Sequence, residues 1–294
     1  MPPHPQAVPL AVILNEHFIN MDLSFLFWNT NSKKCLAEIH NLVTHYNIDV
    51  LILAENVATP SEMLLKLNAV STEFYPNHPV SLCEKIKIYS RFHHDFIAPI
   101  EESQRLSIRS IELPTLDNIN LICLHFGDKG SFNPESQSEM ASELRILINN
   151  LEEKIGHKRT LIVGDFNMNP FELGLIKANG LHATMSQKIA RKGSRKIQSV
   201  EYDYFYNPMW SLYGDLNHRI CGTYYYKRAE LVNYQWNIFD QMLIRPDLLD
   251  HLDNNSVEIL KHDGVKDLIT KGGIPNKQLY SDHLPIKFKL TFKS

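Results

Sequence analysis

The most constraining feature of the sequence is an apolar run at residues 160–163 that ends abruptly in the tetrapeptide Gly-Asp-Phe-Asn at 164–167. Such a run predicts a buried strand. Asp165 and Asn167 are two residues apart, so on an extended backbone their side chains point the same way. A carboxylate can bind a hard cation or polarise water, and an amide can hydrogen-bond a phosphate oxygen without repelling it. The strand is therefore predicted to deliver two complementary polar groups to one edge of a sheet.

A second polar cluster, Ser-Asp-His-Leu-Pro at residues 281–285, lies where another loop meets a strand pattern. An imidazole near a carboxylate is favoured in its protonated form, which suits the binding of anionic phosphate oxygens at a transition state. Together the two clusters indicate metal-assisted cleavage of a phosphate ester. The alternative is that both segments are only turns, which Gly, Asp and Asn favour. A turn after the first run would bury a polar group without a partner.

The order of the predicted elements indicates an α/β protein. A β-α-β unit opens the chain, with strands at 24–28 and 49–54 and a helix at 33–46 capped by Ser32. The clearest helix covers 134–155, with Asn133 as its cap and Gly156 at its end. Further strands are predicted at 85–92, 106–113, 120–126, 159–163, 238–244 and 286–292. Strands and helices in this order support the α/β class, and only the segment 186–199 has a composition that suggests disorder.

Bulk composition limits the classes of function. The 294 residues, 44% of them apolar, can build one large domain, which we place at 22–294 after an N-terminal extension at 1–21. A net charge of −3 argues against nucleic-acid binding through a basic field over the whole surface, so any polyanion site must be local. Scattered cysteines, a leader without Lys or Arg, and the lack of a membrane-spanning apolar stretch predict a cytoplasmic protein with no membrane contact.

The ordered set of polar groups at strand ends resembles the endonuclease/exonuclease/phosphatase family, which includes pancreatic deoxyribonuclease, abasic-site endonucleases, inositol-phosphate phosphatases and bacterial sphingomyelinases. The resemblance extends over about residues 23 to 292. It implies a four-layer α/β/β/α sandwich, in which two stacked mixed sheets are flanked by helices. It also implies a phosphoesterase that uses Mg²⁺, with Mn²⁺ as a substitute.

The resemblance assigns three residues to the divalent cation. Asn29 follows the first predicted strand, Glu55 follows the second, and Asp282 belongs to the cluster near the C-terminus. In the alternative interpretation, Asn29 only begins a turn and Glu55 is a solvated carboxylate that caps the next loop.

The resemblance also implies a set of catalytic roles. Asp165 would orient and deprotonate the attacking water, while Asn167 and His283 would stabilise the charge that develops on the phosphoryl oxygens. Asp240 interrupts the apolar run at 238–244 with a charge, which needs a partner. The family pattern supplies that partner in His283. The alternative is that Asp240 faces outward from an alternating strand.

His125, at the end of another apolar run, is a further candidate for contact with the phosphate. Many nucleases of the family have a histidine at this place. The family often has Asn two residues earlier, where this chain has Cys123, a departure that alters the support of His125 and not the histidine itself. The alternative is a core histidine satisfied by a backbone carbonyl.

A basic run at residues 188–196 bears on the substrate. It contains five positive charges that are candidates for gripping a nucleic-acid backbone: Lys188, Arg191, Lys192, Arg195 and Lys196. The ordinary interpretation of such a run is a solvated loop. The aromatic residues that follow, as far as the Tyr-Tyr-Tyr triplet at 224–226, suit stacking on unpaired bases and suit a core equally well.

Three hypotheses about function follow from these features. The sequence favours a Mg²⁺-dependent phosphodiesterase that cleaves nucleic acid, in the first place an endonuclease, with no obligate protein partner. The alternative is a phosphatase or phosphodiesterase acting on a small or lipid phosphoester, such as an inositol phosphate or sphingomyelin. The missing secretory leader and the lack of an obvious exposed hydrophobic hairpin argue against it. A catalytically silent binding module is the third hypothesis, and the intact set of motifs argues against that one.

Overall fold

A computed structural model describes residues 21–69, 74–77, 82–114, 116–216 and 219–292. In this part of the chain the first eight strands are β1 (Met21–Asn29), β2 (Val50–Ala54), β3 (Tyr75–Asn77), β4 (Ile86–Ser90), β5 (Ile97–Ser103), β6 (Leu106–Ile111), β7 (Ile119–His125) and β8 (Thr160–Asp165). They are followed by β9 (Ala183–Thr184), β10 (Ser194–Ile197), β11 (Val200–Asp203), β12 (Phe205–Tyr206), β13 (Tyr224–Tyr225), β14 (Trp236–Asn237), β15 (Asp240–Ile244), β16 (Glu258–Ile259) and β17 (Ile286–Phe292).

The α-helices of the same residues are α1 (Leu36–His45), α2 (Pro60–Leu67), α3 (Pro134–Ile155), α4 (Leu173–Ile176) and α5 (Gln187–Ala190). Within these described ranges, no helix has the length and apolar character needed to cross a membrane. The predicted N-terminal extension lies outside the described residues, apart from Met21. That residue begins β1 and pairs with Phe292.

Two mixed sheets form the centre of the fold. The first sheet has the strand order β16-β17-β1-β2-β4-β3, and the second has the order β5-β6-β7-β8-β15-β12-β9. Each sheet contains a central parallel pair, β1 with β2 and β7 with β8, whose outer neighbours run antiparallel. Two short antiparallel ribbons, β10 with β11 and β13 with β14, lie outside the sheets.

The sheets stack face to face around one apolar layer. Alternate residues of β1, such as Phe25 and Phe27, and of β8, such as Leu161 and Val163, fill the space between them. The opposite face of the first sheet packs on α1 and α2, and the opposite face of the second packs on α3. The predicted four-layer α/β/β/α sandwich is confirmed. Because both faces of the central strands are buried, these strands contain continuous apolar runs at 25–28, 50–54, 121–124 and 161–163.

One end of the sandwich collects the polar ends of the strands. In the second sheet Asp165 is paired with His125 on one side and with Asp240 on the other. In the first sheet Asn29 lies opposite Ala54, which places the next residue, Glu55, at the same end of the sandwich. The registers therefore bring together side chains that the sequence separates widely.

Two local predictions were wrong. Helix α1 begins at Leu36 with Cys35 as its cap, and Ser32 lies before the helix, because Asn31, Ser32 and Cys35 have φ angles of 47°, 56° and 44° that no helix permits. The segment 186–199 is ordered: Ser186 caps α5 by accepting a hydrogen bond from the backbone of Ile189, and a β10–β11 hairpin follows.

Helix α3 agrees with its predicted limits and carries a buried ion pair that the sequence did not indicate. Asn133 caps the helix by accepting from the backbone N–H of Ser136 at 2.8 Å. On its buried face, the Glu152 carboxylate receives two hydrogen bonds from Arg245, at 2.9 and 3.0 Å. A third, at 2.7 Å, comes from the hydroxyl of Thr160. This contact fixes the helix to the ends of β8 and β15.

Breaking this pair from one side should destabilise the fold. We expect Arg245→Met to lower the free energy of unfolding by about 3–5 kcal/mol, because it leaves the Glu152 charge buried without its partner. Arg245→Met combined with Glu152→Leu should recover most of that loss, since no charge is then buried. Urea unfolding followed by circular dichroism measures both changes. Arg191→Met is the control: it breaks an exposed pair with Asp250 and should cost less than about 1 kcal/mol. Equal losses in the two single variants would contradict the prediction.

Candidate active site

The Asp165 carboxylate lies at the centre of the polar end of the sandwich. It is 1% exposed, and burial raises its pKa. Oδ2 accepts a hydrogen bond from the amide of Asn29 at 3.0 Å, and Oδ1 accepts one from the backbone N–H of Asn167 at 2.9 Å. Nε2 of His125 and Nε2 of His283 lie 3.7 and 3.9 Å from Oδ2. The carboxylate is thus held by groups from both sheets.

His283 forms a second buried pair, with Asp240. Its Nδ1 donates to Oδ2 of Asp240 at 2.8 Å, which directs Nε2 towards Asp165. Burial alone lowers the pKa of His283, but the charge and hydrogen bond of Asp240 and the charges of Asp165 and Asp282 outweigh it and raise that pKa to about 10. The imidazole is therefore a cation at neutral pH. It separates two carboxylates that lie opposite each other on β8 and β15.

Residues of β1 fix the loop that carries His283. The indole N–H of Trp28 donates to the backbone carbonyl of His283 at 2.9 Å. The hydroxyl of Ser281 donates to the carbonyl of Asn29 at 2.7 Å and accepts from the N–H of His283 at 3.0 Å. These bonds explain why a loop more than two hundred residues from β1 in sequence ends beside Asp165.

Glu55 and His125 form a third pair. Nε2 of His125 lies 3.0 Å from Oε1 of Glu55, and this hydrogen bond lowers the pKa of Glu55 against the opposing effect of burial. The Glu55 side chain is 27% exposed, so it reaches the cavity while still ionised. Nδ1 of His125 is buried, with no hydrogen-bond partner among the described residues. Cys123, two residues earlier, lies in the apolar layer between the sheets.

Asn167 is held by contacts that the sequence did not predict. It has a φ of 51°, and its amide donates to the carbonyl of Phe126 at 3.0 Å. The amide of Gln137 on α3 donates to the carbonyls of Gly127 and Asn167 at 2.8 and 3.1 Å. Gln137 lies on the buried face of α3, three residues before Met140. A polar residue within an apolar stripe indicates a buried polar contact, and the sequence offered that indication.

These groups line a cavity of about 690 Å³. The predicted residues that reach it are Asn29, Glu55, His125, Asp165, Asn167, Asp282 and His283. Asp240 lies behind His283. Residues that the analysis of the sequence missed also line it, including Asp128, Lys129, Arg228 and Phe239. Asp128, Lys129 and Arg228 lie in loops without a regular pattern, and Phe239 belongs to the apolar run at 238–244, where it resembles a core residue.

The structure does not bring the basic run to this cavity. All five of its charged residues are exposed, but none is among the lining residues. Arg191 pairs with Asp250. Asp203, at the end of the β10–β11 hairpin, pairs with Lys158 at 2.8 Å. Lys158 precedes β8, and the six residues of that strand span roughly 17 Å before Asp165 is reached. The contact of this run with a nucleic-acid backbone therefore stays a prediction, and any such contact would lie outside the cavity.

The donor groups fit a hard divalent cation. Carboxylates and an amide oxygen are the ligands that Mg²⁺ and Mn²⁺ prefer, and the cavity presents Glu55, Asp165, Asp282 and Asn29. Ligand atoms of Asp165, Asp240 and His283 also lie within 4.8 Å of one another. Since His283 and Asp240 already bind each other, Glu55 and Asp282 are the better placed to hold a cation at the cavity surface.

Solved structures with the same fold are known. No family model matches the sequence, and a search of curated proteins gives no match. The chain is similar to an endonuclease/exonuclease/phosphatase family protein from Bacteroides thetaiotaomicron, with a TM-score of 0.54 and 12% identity over 94% of this chain and 96% of that one. It is also similar to the endonuclease domain of TRAS1, a telomere-specific non-LTR retrotransposon, with a TM-score of 0.50 and 17% identity over 91% and 98% of the two chains.

A third structure, the 3' phosphatase NExo from Neisseria bound to product DNA hairpin, has a TM-score of 0.50 and 13% identity over 92% of this chain and all 100% of that one. These likenesses agree with the two stacked mixed sheets. They confirm the resemblance that the motifs indicated, at the level of the fold. The chain has the fold of the endonuclease/exonuclease/phosphatase family.

Proposed function

We propose that this protein is a Mg²⁺-dependent phosphodiesterase that cleaves nucleic acid, in the first place as an endonuclease. The observation that carries the proposal is the contact of one buried carboxylate, Asp165, with groups from both sheets, including two histidines whose Nε2 atoms lie within 4 Å of its Oδ2. A phosphate in the cavity would contact a charged donor, His283, and a neutral donor, Asn167. Asp165, the base that would deprotonate water, lies on the same side of the cavity.

The residues of the site have distinct roles in the proposed reaction. Asp165, whose pKa burial raises, orients the attacking water and takes its proton. His283, held by Asp240 and protonated, donates from Nε2 to a phosphoryl oxygen as negative charge develops there. Asn167 is a neutral donor for the same oxygens.

Glu55, Asn29 and Asp282 would hold the cation. When bound, a Mg²⁺ ion supplies charge neutralisation for the phosphate and the leaving oxygen. His125, which now contacts Glu55, adds a donor at the border between the cation site and the phosphate.

Two of the structural neighbours support nucleic acid as the substrate class. One is named as the endonuclease domain of a retrotransposon protein, and another as a 3' phosphatase bound to a DNA hairpin. A cytoplasmic location stays a prediction of the sequence.

Removal of the Glu55 charge tests the cation site. We expect Glu55→Gln to abolish Mg²⁺-dependent cleavage of plasmid DNA and of an RNA oligonucleotide at millimolar Mg²⁺, because hard cations bind carboxylates far better than amides. Cleavage assays with a Mg²⁺ titration measure the effect, and circular dichroism checks the fold. Glu258→Gln, on the edge strand of the first sheet and outside the cavity, is the matched control and should keep full activity. Full activity in Glu55→Gln would remove this residue from the site.

The histidine pair gives a ranked prediction. His283→Ala should lower kcat by about a hundredfold or more, the effect of losing one donor to the transition state. Asp240→Asn should lower kcat less, because the imidazole remains and loses only the charge that orients and protonates it. Steady-state kinetics on one oligonucleotide measures both variants. If Asp240→Asn were the more damaging of the two, the assigned roles would be reversed.

A lipid phosphoester is the second candidate substrate, and one observation favours it. The hairpin that joins β13 to β14 at the cavity rim exposes Leu231 completely and Val232 to 74%, although the sequence analysis saw no exposed hydrophobic hairpin. Apolar side chains at the rim suit insertion into a bilayer surface.

A direct comparison of substrates separates the two candidates. We expect oligonucleotides to be cleaved faster than phosphoinositides or sphingomyelin in mixed vesicles under the same Mg²⁺ conditions. A combined Leu231→Ser and Val232→Ser variant should change vesicle co-sedimentation only if the lipid candidate is correct. Leu65→Ser, which alters an 80% exposed leucine on α2, is the matched control. Turnover confined to the lipids would replace the nuclease proposal.

A further inference from the structure

A row of aromatic rings leads outward from the catalytic centre along one wall of the cavity. Phe239 stacks on Tyr224 with ring centroids 5.2 Å apart and planes at 26°. Tyr224 stacks on Tyr226 at 6.3 Å and 18°, and the guanidinium of Arg228 lies 5.9 Å from the Tyr226 centroid. We call Phe239, Tyr224 and Tyr226 the aromatic row. All three line the cavity, and exposure rises along the row from 5% at Phe239 to 41% at Tyr226.

The β13–β14 ribbon produces this row. Tyr224 lies opposite Asn237, and Tyr225 lies opposite Trp236. Because successive side chains on a strand point to opposite faces, Tyr224 and Tyr226 share the cavity face. Tyr225 points the other way and packs edge-on against Trp236 at 5.2 Å. Two tyrosines of the triplet, Tyr224 and Tyr226, therefore form part of the cavity wall, and Tyr225 makes a structural contact.

The inner end of the row is fixed against the reacting group. Tyr224 forms a β-bridge with His283, and their ring centroids lie 4.7 Å apart. The hydroxyl of Thr223 accepts from the backbone N–H groups of Phe239 and Asp240 at 3.1 and 3.2 Å, which holds the ribbon to the strand that carries the partner of His283. A phosphate bound at His283 would place its neighbouring nucleotide beside these rings.

The charges around the cavity do not favour a rigid duplex. Apart from the two histidines of the site, the basic residues among its described lining are Lys129, which pairs with Glu172, and Arg228, which pairs with Glu230. Duplex binding depends on several unpaired cations along the phosphate backbone. Carboxylates of the site further weaken any positive field. Stacking on aromatic faces adds affinity for the bases themselves, and only unpaired or extruded bases offer a free face to it.

We propose that the aromatic row binds nucleotides that are not base-paired, so that the enzyme acts on single-stranded or unpaired segments in preference to duplex. This inference rests on the proposed nuclease function and specifies its substrate class. An unpaired base stacks at the exposed end of the row, on Tyr226 beside Arg228, while Tyr224 and Phe239 support Tyr226 from the inner side. The contacts are independent of base identity, since every base has an aromatic face.

The test compares one fluorescent oligonucleotide as a free strand and annealed to its complement, with Mg²⁺. We expect kcat/KM to be about tenfold or more higher for the free strand. Tyr226→Ala should lower kcat/KM for the free strand about tenfold and remove most of this preference, while Tyr226→Phe, which keeps the ring, should retain it. Tyr225→Ala, on the opposite face of the same ribbon, is the matched control and should keep the preference of the wild type.

The outcomes separate this inference from the proposed function. Equal or faster cleavage of the duplex by the wild type would overturn the inference and leave the nuclease proposal standing. An equal loss of kcat/KM on the free strand and on the duplex in Tyr226→Ala would also overturn the inference, because the ring would then support the site as a whole. Hydrolysis of bis-p-nitrophenyl phosphate without cleavage of either oligonucleotide would overturn the nuclease proposal, and the inference with it.

Discussion

The burial of a single carboxylate, Asp165, determines how this end of the molecule is built. An ionised carboxylate removed from water needs hydrogen bonds and opposite charge, and the cost without them is several kcal/mol. No one segment supplies them. Asn29 comes from the first sheet, the backbone of Asn167 from the loop after β8, and the positive charge from His283. When the two sheets stack on their apolar layer, each of them contributes a partner to Asp165.

This dependence places a second requirement on the chain. Asp240 lies directly opposite Asp165 in the antiparallel register, where two like charges repel each other. The imidazolium of His283 lies between them and relieves the repulsion. Its loop must therefore return to the end of β1, and Trp28 and Ser281 hold it there. Contacts that stabilise the fold are in this way the same contacts that keep His283 protonated and aimed at the cavity.

The aromatic and basic residues show how a linear pattern can mislead. The basic run between 188 and 196 is the strongest charge feature of the sequence, yet it lies at the far end of β8 from the site. The tyrosine triplet is the weaker feature, yet two of its members line the cavity. Strand alternation separates those two from Tyr225, and the pairing of β13 with β14 decides which face meets His283.

The sequence by itself determined the α/β class, the limits of helix α3, and the strand ends that carry Asp165, His125, Asn29 and Glu55, because burial, capping and a strand that stops at a polar group are all local. Only the tertiary structure decided the pairing of Glu152 with Arg245 and of Gln137 with the Asn167 loop. It also decided the position of the basic run. These features depend on strand register and on the return of distant loops, and no periodicity in the sequence encodes either of them.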